Sequence, residues 1–169
     1  MIEIKTLTNN DFNEYKRLVS TVNEEFTQDS HYSQTMTDTL IHDILNQGSP
    51  KCIVFGCYEN ETLIATAALE QIRYVGKEHK SLIKYNFVTN NDKSINSELI
   101  NFIINYARQN NYESLLTSIV SNNIGAKVFY SALGFDILGF EKNAIKIGNT
   151  YFDEHWRSEE RRVGKECSE

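Results

Sequence analysis

Between Ile95 and Phe140 the hydrophobic period of the chain switches repeatedly, and no linker separates the segments. "INSELINFIINYARQNN" carries Ile95, Leu99, Phe102, Ile103 and Tyr106 on one helical stripe. "YESLLTSIV" then reads as a strand, "SNNIGAKVFYSALGFD" as a short amphipathic helix and "FDILGF" as a strand again. Helices that alternate with strands must cover a sheet, so this run commits the chain to α/β layering. With 169 residues and 40% apolar content there is material for one such domain with a real core, and too little for two comfortable ones.

The rest of the chain extends the pattern. "IEIKTL" alternates with period two and reads as the first strand. Asp11 opens a helix, with Glu14 three residues on completing a capping box, and Phe12, Tyr15, Leu18, Val22 and Phe26 line one side. After the polar "TQDSHYSQT", a second helix sets Met36, Leu40, Ile41, Ile44 and Leu45 on one face and stops at Gly48 and Pro50. "KCIVFGCYE" and "TLIATAALEQIRY" make a hairpin about Asn60-Glu61, and "SLIKYNFVT" is a further strand. "NAIKIGNTYFDEHW" closes as a hairpin about Gly148-Asn149. The predicted order is β-α-α-β-β-β-α-β-α-β-β. It describes a single α/β domain (α+β in some schemes) whose mixed, mostly antiparallel sheet has helices on both faces.

Composition excludes several classes. A net charge of −6 argues against a nucleic-acid partner. No apolar run approaches the roughly 18–20 residues that span a bilayer. The start, "MIEIKTLTNNDF", alternates charge instead of showing a basic and then apolar leader. Cys52 and Cys57 share a strand and point to opposite faces as small core residues; with Cys167 they form neither a disulfide framework nor a zinc spacing. His31, His42, His79 and His155 show no paired spacing, so no metal is expected. A reduced cytoplasm is the expected home, and the Asn, Ile and Lys usage suggests an AT-rich bacterium. From Ser158 the text changes to "SEERRVGKECSE", without Asn, Ile or periodicity. The domain is therefore placed at 1–157, with 158–169 either a disordered charged tail or a non-native read-through segment. The partners of the last strand suggest that several apolar residues are missing after Trp156.

Asn123, Ala126, Phe129, Tyr130, Leu133, Gly134 and Phe135 stand without a gap in the pattern Asn-x-x-Ala-x-x-aromatic-Tyr-x-x-Leu-Gly-Phe. "IKIGNTYFDEHW" adds a closing hairpin with Tyr-x-Asp-Glu. Together with the element order, these residues resemble the GNAT superfamily of acyl-CoA-dependent acyltransferases, over Met1 to about Trp156. The likeness is specific in the C-terminal half and topological before it. It implies that the fourth and fifth strands splay apart and hold the pantetheine arm of acetyl-CoA, a co-substrate, on the backbone of Phe87, Val88 and Thr89. The loop into the next helix, with Asn91, Lys93, Ser94, Ile95 and Asn96, would cradle the pyrophosphate at a helix N-terminus. Asn123 would reach the cofactor, and Tyr130 would lie beside the sulfur and protonate the departing thiolate as general acid. By periodicity alone Tyr130 is a core aromatic on the stripe of Ala126, Phe129 and Leu133. Gly134 reads as a left-handed helix stop and Phe135 as core.

One loop departs from the family. "NDKSIN" (Asn91 to Asn96) stands where "RGKGIG" is typical, so both signature glycines are gone. Glycine admits close approach of a phosphate, and Asn is the next most tolerant residue. Lys93 and the Ser94 hydroxyl compensate in part, whereas Asp92 brings a negative charge to a dianionic ligand. Read without the family, "NDKS" is a solvated turn with Ser94 as helix cap. Weakened acetyl-CoA binding follows. No general base is evident: Glu70 is the nearest acid to the strand that offers Lys84 and Tyr85, and a water chain is the alternative. His31 and Tyr32 fall in a loop that often lines the acceptor pocket in the family. Asp153 and Glu154 alternate to opposite faces. The expected reaction is direct acetyl transfer to a primary amine, with a small molecule, an amino acid or a peptide N-terminus as acceptor. The acidic chain leans towards a cationic acceptor such as a polyamine. A homodimer is compatible with this reading. The rival from another class is a catalytically silent module of the same fold that binds an effector or a partner protein.

Overall fold

The computed structural model describes residues 1–21, 36–46 and 52–160. Its strands are β1 (Ile2–Thr6), β2 (Cys52–Glu59), β3 (Thr62–Gln71), β4 (Lys80–Val88), β5 (Ser114–Val120), β6 (Asp136–Ile147) and β7 (Thr150–Glu160). The helices are α1 (Phe12–Thr21), α2 (Asp38–Asn46), α3 (Lys93–Gln109) and α4 (Ile124–Ala132). The strands form one seven-stranded sheet in the order β1-β2-β3-β4-β5-β7-β6. Every neighbouring pair is antiparallel except β4 and β5. That parallel step is the consequence of α3, which carries the chain across the sheet between them.

Both faces of the sheet are buried at its centre, which explains the nearly continuous apolar run of β3. Tyr15 and Leu18 of α1 and Ile41 and Ile44 of α2 pack with Val54 and Ala68 on one face. Leu99 and Ile103 of α3 and Phe129 and Tyr130 of α4 pack with Phe55 and Ile119 on the other. Val54 and Phe55 are sequence neighbours in different cores, as strand alternation requires. The β2–β3 hairpin turns where expected, with Asn60 and Glu61 both at positive φ (50° and 68°), as the tightest hairpin turns demand. Gly134, at φ 97°, ends α4 where the sequence places a stop.

Three local expectations change. Thr8, not Asp11, caps the first helical turn: its backbone N–H donates to Asp11 Oδ2 at 2.9 Å, while its hydroxyl accepts from Asn10 N at 3.2 Å. Glu14 is thereby released from capping, and its Oε1 accepts the backbone N–H of Leu63 on β3 at 2.9 Å. The last strand does not stop at the expected boundary after Arg157. Ser158, Glu159 and Glu160 continue β7 opposite Leu116, Leu115 and Ser114, because β5 offers a ladder that far. Residues 161–169 lie outside the described residues. Finally, "FDILGF" and "NAIKI" are one strand, β6, interrupted between Glu141 and Ile145. There Asn143 takes φ 54° and its N–H donates to Asp153 Oδ1 at 2.7 Å.

Candidate active site

β4 and β5 part company early. Their ladder consists of Lys80–Ser114, Ser81–Leu115 and Leu82–Leu116, after which β4 runs on to Val88 and β5 to Val120. Beyond the split, β4 carries a bulge in its pairing with β3. Between the pairs Thr66–Phe87 and Ala68–Lys84, Tyr85 and Asn86 oppose the single residue Ala67, and Tyr85 takes φ 53°. An extra residue of this kind bends a strand and re-aims its side chains. Here the residue after it, Asn86, lies under α3 and α4, buried to 2% exposure.

Tyr130 meets Asn86 there. The tyrosine, 1% exposed, donates its hydroxyl proton to Asn86 Oδ1 at 2.8 Å. Its ring is held edge-on by Phe129 and Phe135, with centroids 5.1 and 5.3 Å away. Burial drives the hydroxyl pKa well above the ordinary tyrosine range, and a hydrogen bond with Thr117 of β5 offsets only part of that. Tyr130 therefore bridges the two diverging strands, reaching Asn86 on β4 and Thr117 on β5. Its proton stays in place at neutral pH.

The loop after β4 is built differently from its sequence reading. Thr89–Asn91 form a short 3₁₀ turn in which Asn90 takes the left-handed conformation, φ 54°. The next residue, Asp92, is the N-cap of α3; its Oδ1 accepts Ile95 N–H at 3.0 Å and its carbonyl accepts Asn96 N–H at 3.0 Å. Ser94, proposed as the cap, lies exposed within the first helical turn beside exposed Lys93. The two positions where glycines are typical, Ser94 and Asn96, thus have helical backbones and need no left-handed dihedral. Asn96 points inward: its Nδ2 donates to Asn86 Oδ1 at 3.0 Å, and its Oδ1 accepts from Asn86 Nδ2 at 2.8 Å. Both its backbone N–H and its side chain are thereby engaged with protein. Asp92 places its carboxylate where a helix N-terminus would otherwise receive an anion.

Other expected residues fall at various distances from this centre. Asn123 caps α4, its Oδ1 accepting Ala126 N–H at 3.1 Å, and is buried. Phe87 packs with the α1–α2 core and Val88 with the opposite one, while Thr89 is half-buried at the loop. Glu70 is ion-paired to Lys84 at 3.1 Å. His155 is pushed below the usual histidine range by burial and then by Lys127 and Arg157. The Cys57 thiol is pushed up to about 11, chiefly by burial and then by Glu98, so both buried cysteines act as packing residues. His31 and Tyr32 lie outside the described residues. Among the described residues no group of His, Cys, Asp and Glu gathers as metal ligands, and no helix is long and apolar enough to cross a membrane. The reading from sequence missed Asn86. Its one signal was a lone asparagine in the apolar strand "SLIKYNFVT", where a buried polar side chain must find partners.

Comparison with known proteins agrees with this architecture. Residues 4–156 match the family described as acetyltransferase (GNAT) domain. The crystal structure of an N-acetyltransferase from Staphylococcus aureus Mu50 is 92% identical, covers 95% of this chain and 97% of its own, and superposes with a TM-score of 0.82. That of a probable acetyltransferase from Staphylococcus epidermidis ATCC 12228 is 43% identical over 96% of this chain and 100% of its own, at 0.88. The ribosomal-protein-S18-alanine N-acetyltransferase of Escherichia coli shares the fold alone, at 13% identity over 98% of this chain and 97% of its own, with a TM-score of 0.76. No curated protein matches the chain. The extent of the family match, together with the Staphylococcus aureus likeness, makes the chain a member of the GNAT acetyltransferase family.

Proposed function

We propose that the protein transfers an acetyl group from acetyl-CoA directly to a primary amine, with Tyr130 acting at the sulfur. The observation that carries this reading is the Tyr130 hydroxyl held between the diverging strands, hydrogen-bonded to Asn86 at 2.8 Å. The pantetheine arm would enter the gap between β4 and β5 along Phe87, Val88 and Thr89. The 3₁₀ turn that ends at Asn91 and the first turn of α3, with Lys93, Ser94 and Ile95, would face the pyrophosphate. Asn123 supports the cofactor side from the start of α4. Asn96 serves this reading through Asn86 and not through the phosphate. As the C–S bond breaks, the hydroxyl turns its one proton from Asn86 Oδ1 to the departing sulfur and gives it up, and the proton shed by the amine restores the tyrosine. The acceptor is an amine with a free electron pair, whether small molecule, amino acid or peptide N-terminus. Its proton leaves through Glu70, once released from Lys84, or through water.

The Asp92 carboxylate at the α3 N-terminus favours a second reading, a member that keeps the fold and binds an effector or partner instead of acetyl-CoA. Thermal unfolding with and without millimolar acetyl-CoA separates the two. Ligand at about a hundred times its Kd adds roughly 2.7 kcal/mol. A rise in midpoint that adenine nucleotide alone does not produce supports the enzyme, and thiol release with a panel of polyamines, amino acids and short peptides then finds the acceptor. A flat response from a folded sample refutes it.

A further inference from the structure

The Asn86 carboxamide makes four hydrogen bonds. Its Nδ2 donates to the Thr66 carbonyl at 3.1 Å and to Asn96 Oδ1 at 2.8 Å. Its Oδ1 accepts from Asn96 Nδ2 at 3.0 Å and from the Tyr130 hydroxyl at 2.8 Å. A carboxamide offers two donors and an oxygen with two lone pairs, so Asn86 is fully used. A backbone carbonyl only accepts, so Thr66 requires the NH₂ of Asn86 to face it, and the amide is not free to turn over. The orientation propagates: Asn86 presents an acceptor to Tyr130, and the tyrosine has to be the donor. Asn96 closes the arrangement from the first turn of α3. A glycine at that position, typical of the loop, would leave one donor of Asn86 without its acceptor and half of its oxygen without a donor. In a site this buried such vacancies are costly. The asparagine in place of glycine is thus matched by a second asparagine 10 residues earlier.

We propose that Asn86, locked by Asn96, is the positioning residue for Tyr130, fixing the hydroxyl at the β4–β5 split and tying it to the first turn of α3. This rests on the reading of Tyr130 as the group that acts at the sulfur. The substitution at the loop then has a function of its own: it supplies half of a clamp behind the tyrosine. A residue that merely filled space would affect stability and leave the chemistry of Tyr130 alone.

The test is a double-mutant cycle of Asn96→Ala and Tyr130→Phe, read as thiol release from acetyl-CoA with the fastest amine of the panel. Asn96→Ala, which removes both hydrogen bonds between Asn96 and Asn86, is expected to lower kcat about tenfold or more, with KM for acetyl-CoA within about twofold. In the Tyr130→Phe background the same change is expected to have no further effect, because groups acting through one another do not add. Asn96→Asp, which has the shape of asparagine and keeps the acceptor for Asn86 Nδ2, is expected to recover part of kcat and serves if the alanine variant folds poorly. An equal loss in both backgrounds, or a loss confined to KM, overturns the clamp while leaving Tyr130 in its role. An unchanged kcat for Tyr130→Phe alone overturns both. Independently of turnover, the Asn86 side-chain amide protons are expected to resist solvent exchange in NMR spectra of the wild type. Rapid exchange there overturns the clamp.

Discussion

A stop codon after Arg157 removes a piece of the sheet that the sequence leaves looking expendable. Ser158, Glu159 and Glu160 face Leu116, Leu115 and Ser114 on β5, and Ser158, 8% exposed, also faces Asp136 on β6. Antiparallel ladders carry on average one hydrogen bond per residue, so about three are lost. At about 1 kcal/mol net for each, the cost is about 3 kcal/mol. The Arg108–Glu159 ion pair, 2.8 Å long, goes too. With the arginine side chain 37% exposed, solvent screening limits that pair to about 0.5 kcal/mol or less. For a chain of this size, about 3 kcal/mol lowers Tm by roughly 6–12 °C. Calorimetry of chains ending at Arg157 and at Glu160, side by side, measures it. The chain ending at Glu160 keeps every described β5–β7 pair and is the reference. Melting of the shorter chain within about 2 °C of it would refute the reasoning, since the three pairs would then contribute nothing net.

Tyr130→Phe is expected to lower kcat by about 10²-fold or more, the usual scale for a positioned proton donor. The Kd for acetyl-CoA by calorimetry should change little, and Tm should fall by about 4–8 °C for the lost hydrogen bonds to Asn86 and Thr117. Gly56→Ala would bring a Cβ within 2.6 Å of Leu7 Cδ2 and 2.8 Å of Leu63 Cδ1, both on buried side chains. Overpacking of this kind costs about 1–3 kcal/mol, read as a drop in urea midpoint. The Glu14 carboxyl is held below its ordinary value of 4.5, first by the Leu63 N–H and then by Arg17, against the opposing effect of burial. A depressed carboxyl contributes stability that is present above 4.5 and lost as pH falls below it. Glu14→Gln should therefore unfold more easily than the wild type at neutral pH, with the gap closing in acid denaturation curves.

Much of the fold was legible because its signals are local. The stripe of Leu99 and Ile103, the alternation of β1, the hairpin at Asn60-Glu61 and the left-handed stop at Gly134 concern residues within a turn or two of one another. Such patterns follow from the periods of helix and strand, which any stretch of chain obeys. The motif from Asn123 to Phe135 is local in the same way, and it led to Tyr130. Capping at Thr8 and Asp92 in place of Asp11 and Ser94 is a choice among neighbouring polar residues, each a competent cap, and the path of the incoming chain makes it.

The sequence by itself determined the alternation of elements, the hairpin turns, the ends of α4 and the tyrosine on its buried stripe. Only the tertiary structure decided where β7 ends, because the length of a strand depends on the partner that β5 offers as much as on its own residues. Only the tertiary structure brought Asn86 to Tyr130 across 44 residues of chain, through a bulge that re-aims one side chain of β4. It also turned Asn96 away from the loop and into the interior. Buried polar atoms must find partners wherever the fold places them, and those partners are set by packing across the sheet and not by the neighbours along the chain.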